Sequence, residues 1–309
     1  MSGKYATETL EATKSGIARA AEILRAGGLV AVPTETVYGL AARADSDDAV
    51  ARIYEAKGRP SFNPLIVHVS SIEHAKKLAE FGPEAERLAA EHWPGPLTLV
   101  LPRRKNAGLA DAVTAGLPTI ALRMPDHPVM QALLAEAGVP LAAPSANRSG
   151  FISPTSAQHV FASLDGRIDA VVDGGECSAG VESTIVAVRA DGSVEELRPG
   201  PLDIASGNGG KGGVEAPGQL ASHYAPGKPV RLDATHAGDG EFLIGFKDVG
   251  GDCSLSAEGD LGEAASRLYA CLHLGAASDK PRIAVAPIPE EGIGKAINDR
   301  LRRAATPAD

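Results

Sequence analysis

The sequence predicts an α/β fold built as two units. Three observations carry this: strand-length apolar runs alternate with helical periodicity from residue 15 to residue 203, a glycine-rich tract breaks the pattern at 206–213, and a shorter alternation resumes beyond 229. A chain of 309 residues also exceeds the length over which one hydrophobic core usually keeps growing.

Ile17, Ala20, Ala21 and Leu24 recur at helical spacing and Gly27-Gly28 ends that helix, after which Leu29-Val30-Ala31-Val32 reads as a buried strand. Val50, Ile53 and Tyr54 form a second helical stripe. Lys57 falls one turn further along the same face, so Lys57 and Arg59 stand at the helix exit. Further strands are expected at 65–69, 97–101, 119–122, 141–143, 170–172 and 184–188, with helices at 84–92, 128–137 and 156–164. Asp191-Gly192 between the apolar runs 186–188 and 194–197 is a hairpin signal, so the sheet should be mixed rather than purely parallel. Residues 1–203 make the first domain on this reading. The 206–213 tract lacks packing side chains, and with the proline-rich stretch that follows it makes 204–229 an interdomain connector. Its Gly210-Lys211 pair is no phosphate loop, because Gly212 follows where Ser or Thr is required. In 230–309, apolar runs at 230–232, 242–246 and 283–286 flank a helical stripe at Leu261, Ala265, Leu268 and Leu272, and a last helix carries Ile293, Ile297 and Leu301. This is a small α/β domain without a dinucleotide glycine fingerprint.

A hydrophobic share of 44% with 22% charged residues is that of a chain able to bury a sizeable core. The formal net charge of −9 argues against broad attraction to nucleic acid while leaving room for a local cationic pocket. Cys177, Cys253 and Cys271 are odd in number, widely spaced and without a CxxC pair. Neither a disulfide framework nor a thiolate metal site is indicated, and buried or idle thiols are expected. The first fourteen residues lack the apolar core of a secretory signal and no later run is long enough to span a bilayer, so a cytoplasmic protein without membrane contact is expected.

The chemistry-bearing residues gather around strand ends. Pro33-Thr34-Glu35-Thr36-Val37-Tyr38-Gly39-Leu40 follows one strand, and Lys57-Gly58-Arg59-Pro60 leads through Asn63 into the strand that carries His68. Two cations and an amide suit an anion, since guanidinium geometry matches phosphate through paired hydrogen bonds, although a solvated helix end fits the same residues. His68, inside an apolar strand, is by itself an ordinary neutral core imidazole. Pro144-Ser145-Ala146-Asn147-Arg148-Ser149-Gly150 places small donors in a loop that would let backbone approach a phosphate or ribose. Arg123 ends a strand where a cation needs a partner, either a substrate carboxylate or an internal acid. Glu182-Ser183-Thr184 and Arg198-Pro199-Gly200 add hydroxyls and a third cation. Ser145 and Ser183 lack a nucleophile elbow, which weakens a serine-hydrolase reading, and no metal-ligand spacing is present. A divalent ion would arrive with a nucleotide, with Glu35 reaching it through water.

Taken together, 33–40, Lys57-Gly58-Arg59, 63–69, 144–147 and 182–184 closely resemble the YrdC-like threonylcarbamoyl-AMP synthase family over roughly residues 15 to 203. Ala216-Pro217-Gly218 with His223-Tyr224-Ala225-Pro226, and the C-terminal unit, resemble its two-domain branch. The resemblance implies a YrdC-like twisted mixed sheet with flanking helices and a smaller Rossmann-like α/β domain. It implies condensation of L-threonine, bicarbonate and ATP, with Mg2+ on the ATP, into threonylcarbamoyl-AMP and pyrophosphate. A separate tRNA threonylcarbamoyl transferase would take the product, with no direct tRNA binding required. By motif position Lys57, Arg59, Ser145 and Asn147 would be catalytic. Thr36, His68, Arg123, Ala143 and Ser183 would hold threonine. ATP would meet Lys57, Arg59, Asn63, Thr119, Ser145, Asn147, Ser153, Arg198 and Tyr224, with 204–229 as a lid that protects a water-labile carbamate. No protein-held metal is implied. The rival readings are a non-catalytic RNA-binding module, against which the acidic balance weighs, and carbamoyl-adenylate chemistry on another acceptor.

Overall fold

The computed structural model describes residues 6–204, 207–208, 215–219 and 223–306, so most of the predicted glycine-rich connector lies outside the described residues. Strands β1 (Glu8–Glu11), β2 (Val30–Val32), β3 (Gly39–Arg43), β4 (Ile66–His68), β5 (Leu97–Pro102), β6 (Thr119–Arg123), β7 (Leu141–Ala142), β8 (Ala170–Asp173), β9 (Thr184–Val188), β10 (Val194–Arg198) and β11 (Gly207–Asn208) form one sheet, in the order β1-β8-β2-β3-β7-β4-β6-β5-β9-β10-β11. Helices α1 (Lys14–Arg25), α2 (Asp47–Lys57), α3 (Ile72–Leu78), α4 (Pro83–His92), α5 (Pro128–Ala137) and α6 (Ala157–Leu164) flank it. In the C-terminal part, β12 (Val230–Arg231), β13 (Glu241–Gly245), β14 (Cys253–Ser254) and β15 (Arg282–Val285) make an all-parallel sheet of order β12-β15-β13-β14, packed by α7 (Leu261–Ala277) and α8 (Gly294–Ala305). The larger sheet is mixed as the hairpin signal required: β9 and β10 pair antiparallel, as do β2 with β3 and β5 with β6, while β4 runs parallel to β6 and β5 to β9.

Strand alternation decides which face of this sheet is free for chemistry. Val67, Leu99, Leu122 and Val186 point to one side and join Val50, Ile53 and Leu88 of α2 and α4 in the main core. Their neighbours Ile66, Val100, Ala121 and Ile185 point to the other side, where they pack with Ala216 of the connector in a smaller cluster. A dry face built by helices fixes the sheet. The opposite face is packed by α1 and α5 at its β1-β8-β2-β3 end, and over the central strands, where Ala216 of the connector meets it, it can host a ligand.

α2 aims the cationic motif at that face. The Ser46 side chain caps its start by accepting from the Ala49 amide, and Asp47 and Asp48 sit in its first turn, where they meet the positive end of the helix dipole. Ala49, Val50, Ile53 and Ala56 are buried along one side, and Ile53→Ala would cost about 2 to 5 kcal/mol. Gly58, at φ +60, closes the helix in the left-handed region and turns the chain so that Arg59 follows.

Several elements escaped the sequence reading, β11 inside the expected connector among them. β1 is an edge strand in which only Leu10 is buried, β3 is built from glycine and alanine rather than β-branched residues, α3 has seven residues, and β14 has two. The cysteine expectation needs correction as well. Cys253 and Cys271 form a disulfide joining β14 to α7, which no sequence spacing signalled, whereas Cys177 is a buried free thiol as expected. No described helix is long and apolar enough to cross a membrane.

Candidate active site

The register of the central strands sets four polar side chains at one end of the free face. His68 of β4 lies beside Arg123 of β6, Arg123 lies opposite Thr98 of β5, and Ser183 immediately precedes β9, the next strand across. Ile66 and His68 share a face by the two-residue period, and so do Ala121 and Arg123. Above them, the Gly39 and Ser145 backbones bridge, the Leu40 amide donates to Pro144 O at 2.7 Å and the Ala146 amide to Tyr38 O at 2.8 Å. The 34–39 and 143–147 segments are thereby held together as a second wall.

The result is a cavity of about 40 Å³. Of the residues expected from the sequence, Thr36, Arg59, His68, Arg123, Ala143, Ser145, Ser183, Arg198 and Tyr224 line it. Glu182, Thr34, Pro217, Gly218 and His223 line it too, and the sequence reading gave them no ligand-binding role. Lys57, Asn63, Thr119, Asn147 and Ser153 stand outside this wall.

The deep end is an ion pair in a hydroxyl cage. Arg123 donates to Glu35 Oε1 at 2.6 Å, to Thr36 Oγ1 at 2.8 Å and to Gly95 O at 3.3 Å, so the internal acid that Arg123 was expected to need is Glu35. Thr34 Oγ1 fixes the turn, donating to Val37 O and accepting from the Thr36 and Val37 amides. Burial would raise the Glu35 carboxyl, but Arg123 overrides it and the net shift is downward. Glu35 Oε2 remains buried without a partner. Desolvation, with the Arg123 charge adding to it, pushes His68 down to about 3, so its ring is neutral. His68 Nδ1 also lacks a partner, which leaves one nitrogen free for an incoming group.

The shallow end carries the other cations. Arg59 donates to Asn63 O at 3.1 Å and Pro64 O at 2.8 Å, and desolvation lowers it to about 10. Arg198 donates to Ser183 O and Oγ and to Pro217 O, tying the β10 end to the connector. Ser183 Oγ also shares a 2.8 Å hydrogen bond with Thr98 Oγ1. Glu182 accepts from Ser153 Oγ at 2.6 Å, which explains why Ser153 stands behind the wall and not in it. Tyr224, at φ +62 and fully enclosed, leans on His223 with ring centroids 4.1 Å apart.

Lys57, expected to be catalytic and to meet ATP, makes its contacts here with a loop. Its Nζ donates at 2.5 Å to Ser145 O and at 2.5 Å to Asn147 O, and its own carbonyl accepts from the Ser149 amide at 2.8 Å. Desolvation lowers its pKa well below the lysine value. It pins the 145–149 loop. Asn147 donates to Arg148 O and Phe151 O while its Oδ1 has no partner, and both side-chain polar atoms of Asn63 are likewise unpartnered. Thr119 shares the face of Arg123 but lies four residues back, about 13 Å along β6 at the usual rise per residue. Among the described residues no group of three His, Cys, Asp or Glu is placed to hold a metal.

Against this geometry, the comparisons with known proteins agree with one another. The Sua5/YciO/YrdC family model, described as "telomere recombination", matches residues 22–200, and the model for the "threonylcarbamoyl-AMP synthase, C-terminal domain" matches 192–306. The threonylcarbamoyl-AMP synthase of Bacillus subtilis is 41% identical over 97% of this chain and 95% of its own length, and that of Pyrococcus abyssi 40% identical over 93% of each. The crystal structure of P. abyssi Sua5 complexed with L-threonine superimposes with a TM-score of 0.88 at 36% identity, covering 97% of this chain and 98% of that one. Two matched domains and full-length relatives of this similarity mean that the chain belongs to the threonylcarbamoyl-AMP synthase family, in its two-domain form.

Proposed function

We propose that this protein is an L-threonylcarbamoyladenylate synthase, a nucleotidyltransferase that condenses L-threonine, bicarbonate and ATP. The observation that carries the reading is the convergence of Arg59, His68, Arg123, Ser145, Ser183 and Arg198 on one cavity at a sheet face. The amine of threonine bonds to the carbon of bicarbonate, whose C–OH bond breaks with loss of water, to give a carbamate. A carbamate oxygen then bonds to the α-phosphorus of ATP while the bond to the β-phosphate oxygen breaks and pyrophosphate departs.

In this reading Arg123, with Thr36, His68, Ala143 and Ser183, holds threonine. Its guanidinium takes the substrate carboxylate, and the neutral His68 ring offers a hydrogen bond without adding charge beside the amine. Arg59 and Arg198 face the phosphates, Asn63 and Thr119 extend the nucleotide site along β6, and Ser145 with Asn147 closes the loop side. In-line displacement at phosphorus needs alignment and charge neutralisation more than a covalent nucleophile, which fits a site with three arginines. Glu35 pairs with Arg123, and among the described residues no carboxylate cluster competes for a cation, so Mg2+ would travel on ATP and neutralise its triphosphate. Pro217, Gly218, His223 and Tyr224 of the connector line the site and would keep water from the carbamate. Handing the adenylate to a separate tRNA transferase in the cytoplasm requires no RNA surface on this chain.

Mass spectrometry of a reaction containing ATP, L-threonine and carbon-13 bicarbonate tests the proposal. A labelled threonylcarbamoyl-AMP peak that needs all three substrates is expected. Pyrophosphate release independent of threonine or of bicarbonate would reject it.

A further inference from the structure

Glu182 is a carboxylate in the cavity wall, and side chains from the C-terminal domain hold it. Its Oε2 accepts from Arg300 Nε at 2.8 Å, and the Tyr269 hydroxyl lies 2.9 Å and 3.0 Å from its two oxygens, while Oε1 accepts from Ser153. Arg300, on α8, is fully buried and does not reach the cavity. Its other nitrogens donate to Pro199 O at 2.9 Å and Asp299 Oδ2 at 2.7 Å, and its guanidinium carbon lies 5.5 Å from the Tyr224 ring centroid. One residue thus touches three segments that build the wall: the strand start after Glu182, the chain after Arg198, and the connector at Tyr224.

We propose that Arg300 and Tyr269 are positioning residues of the active site, which cancel the charge of Glu182 and fix its orientation so that the nucleotide half of the cavity can accept a polyanion. The proposal rests on the reading given under Proposed function. A buried ion pair adds little net stability over an apolar pair of similar volume, so fold stability alone is a poor reason to place one here. Its position is a better one. Left without Arg300, Glu182 would keep Arg198 as its nearest remaining cation and draw on that charge, opposing the phosphates the arginine faces. The charged and titratable groups around Glu182 are Arg300, with Asp299 behind it, Arg198 from β10, Tyr269 from α7, and Tyr224 and His223 from the connector. Burial would raise the Glu182 carboxyl, but Arg300 and then Arg198 and Ser153 hold it at about 2. The C-terminal domain therefore completes the site electrostatically.

The test compares full-length Arg300→Met, Glu182→Gln and the double variant, with ATP and threonine varied separately in pyrophosphate release and ATP binding followed by calorimetry. Arg300→Met should weaken ATP by about 10-fold or more while the threonine KM stays within about 3-fold, the pattern of a lost phosphate-specific effect. The deficit should shrink as pH is lowered from about 8 to about 6, because Glu182 without its guanidinium takes up a proton. Adding Glu182→Gln to Arg300→Met should restore most of the ATP affinity. Equal loss for both substrates, a pH-independent deficit or no recovery in the double variant would overturn the proposal. If Arg300→Met does not fold, Arg300→Lys and Tyr269→Phe are judged by the same criteria. Calorimetry reads the proposal even if the wild-type chain forms another product, an outcome that would reject the function and leave the electrostatic role measurable.

Discussion

Replacing Arg59 by alanine separates its two roles. In the folded chain the guanidinium donates to Asn63 O and Pro64 O and also lines the cavity. Asn63 O keeps a second donor in the Tyr54 hydroxyl at 3.1 Å, so the substitution strands only Pro64 O, a stability cost of about 1 to 3 kcal/mol. A lost hydrogen bond to a charged phosphate costs about 1.5 to 3 kcal/mol more in the transition state, which is about 10- to 150-fold in kcat/KM for ATP. Threonine- and bicarbonate-dependent pyrophosphate release measures the second cost, and thermal unfolding measures the first. A variant that melts earlier yet keeps kcat/KM for ATP within about 2-fold of wild type would refute the phosphate role and leave Arg59 as a loop pin.

Lys57→Met should behave differently, because the ammonium is committed to Ser145 O and Asn147 O: thermal stability falls, and the KM values for ATP and threonine rise together. An effect confined to ATP would show that Lys57 reaches the phosphates. Gly218→Ala should impair turnover without loss of the folded core, since an added Cβ would come 2.9 Å from Arg198 Cδ and 2.9 Å from the Tyr224 hydroxyl at a backbone φ of +86. Unchanged kinetics would mean the connector is free to yield there. Stability should also fall with acid. His68 and His223 are each lowered to about 3 in the folded chain, so between about 6.5 and 3 the unfolded chain binds more protons and unfolding becomes easier as pH falls. Two such groups give a slope approaching about 2.7 kcal/mol per pH unit below about pH 6, measurable by denaturant titration, and a flat profile down to about pH 5 would contradict their burial as neutral rings.

The sequence made most of the first domain legible because its strands are apolar runs and its helices have one apolar stripe, as at Ile53 and Leu88. It was less informative where short elements take their stability from neighbours: β3, made of Gly39, Leu40, two alanines and Arg43, is a strand because β2 and β7 pair with it. The motif residues were visible as types, but not their directions. Lys57 and Arg59 are two residues apart, yet one faces the loop carbonyls and the other the cavity, a difference set by the left-handed turn at Gly58. Arg300 left a fainter trace. It sits three and four residues from Ile297 and Ala296 on the buried side of α8, and a guanidinium in an apolar stripe requires a carboxylate partner. Nothing in the sequence identified that partner as Glu182, because 118 residues separate them and only the packing of the two domains brings them together.

The cavity in the site, about 40 Å³, is well below the several hundred that nucleotide-sized ligands fill. In the proposed lid, Pro217, Gly218, His223 and Tyr224, which line that space, would have to part for substrate to enter and for product to leave. Its anchors, Arg189 on Glu215 and Arg198 on Pro217, would then be latches, and their release would set an upper bound on turnover however fast the phosphoryl chemistry runs.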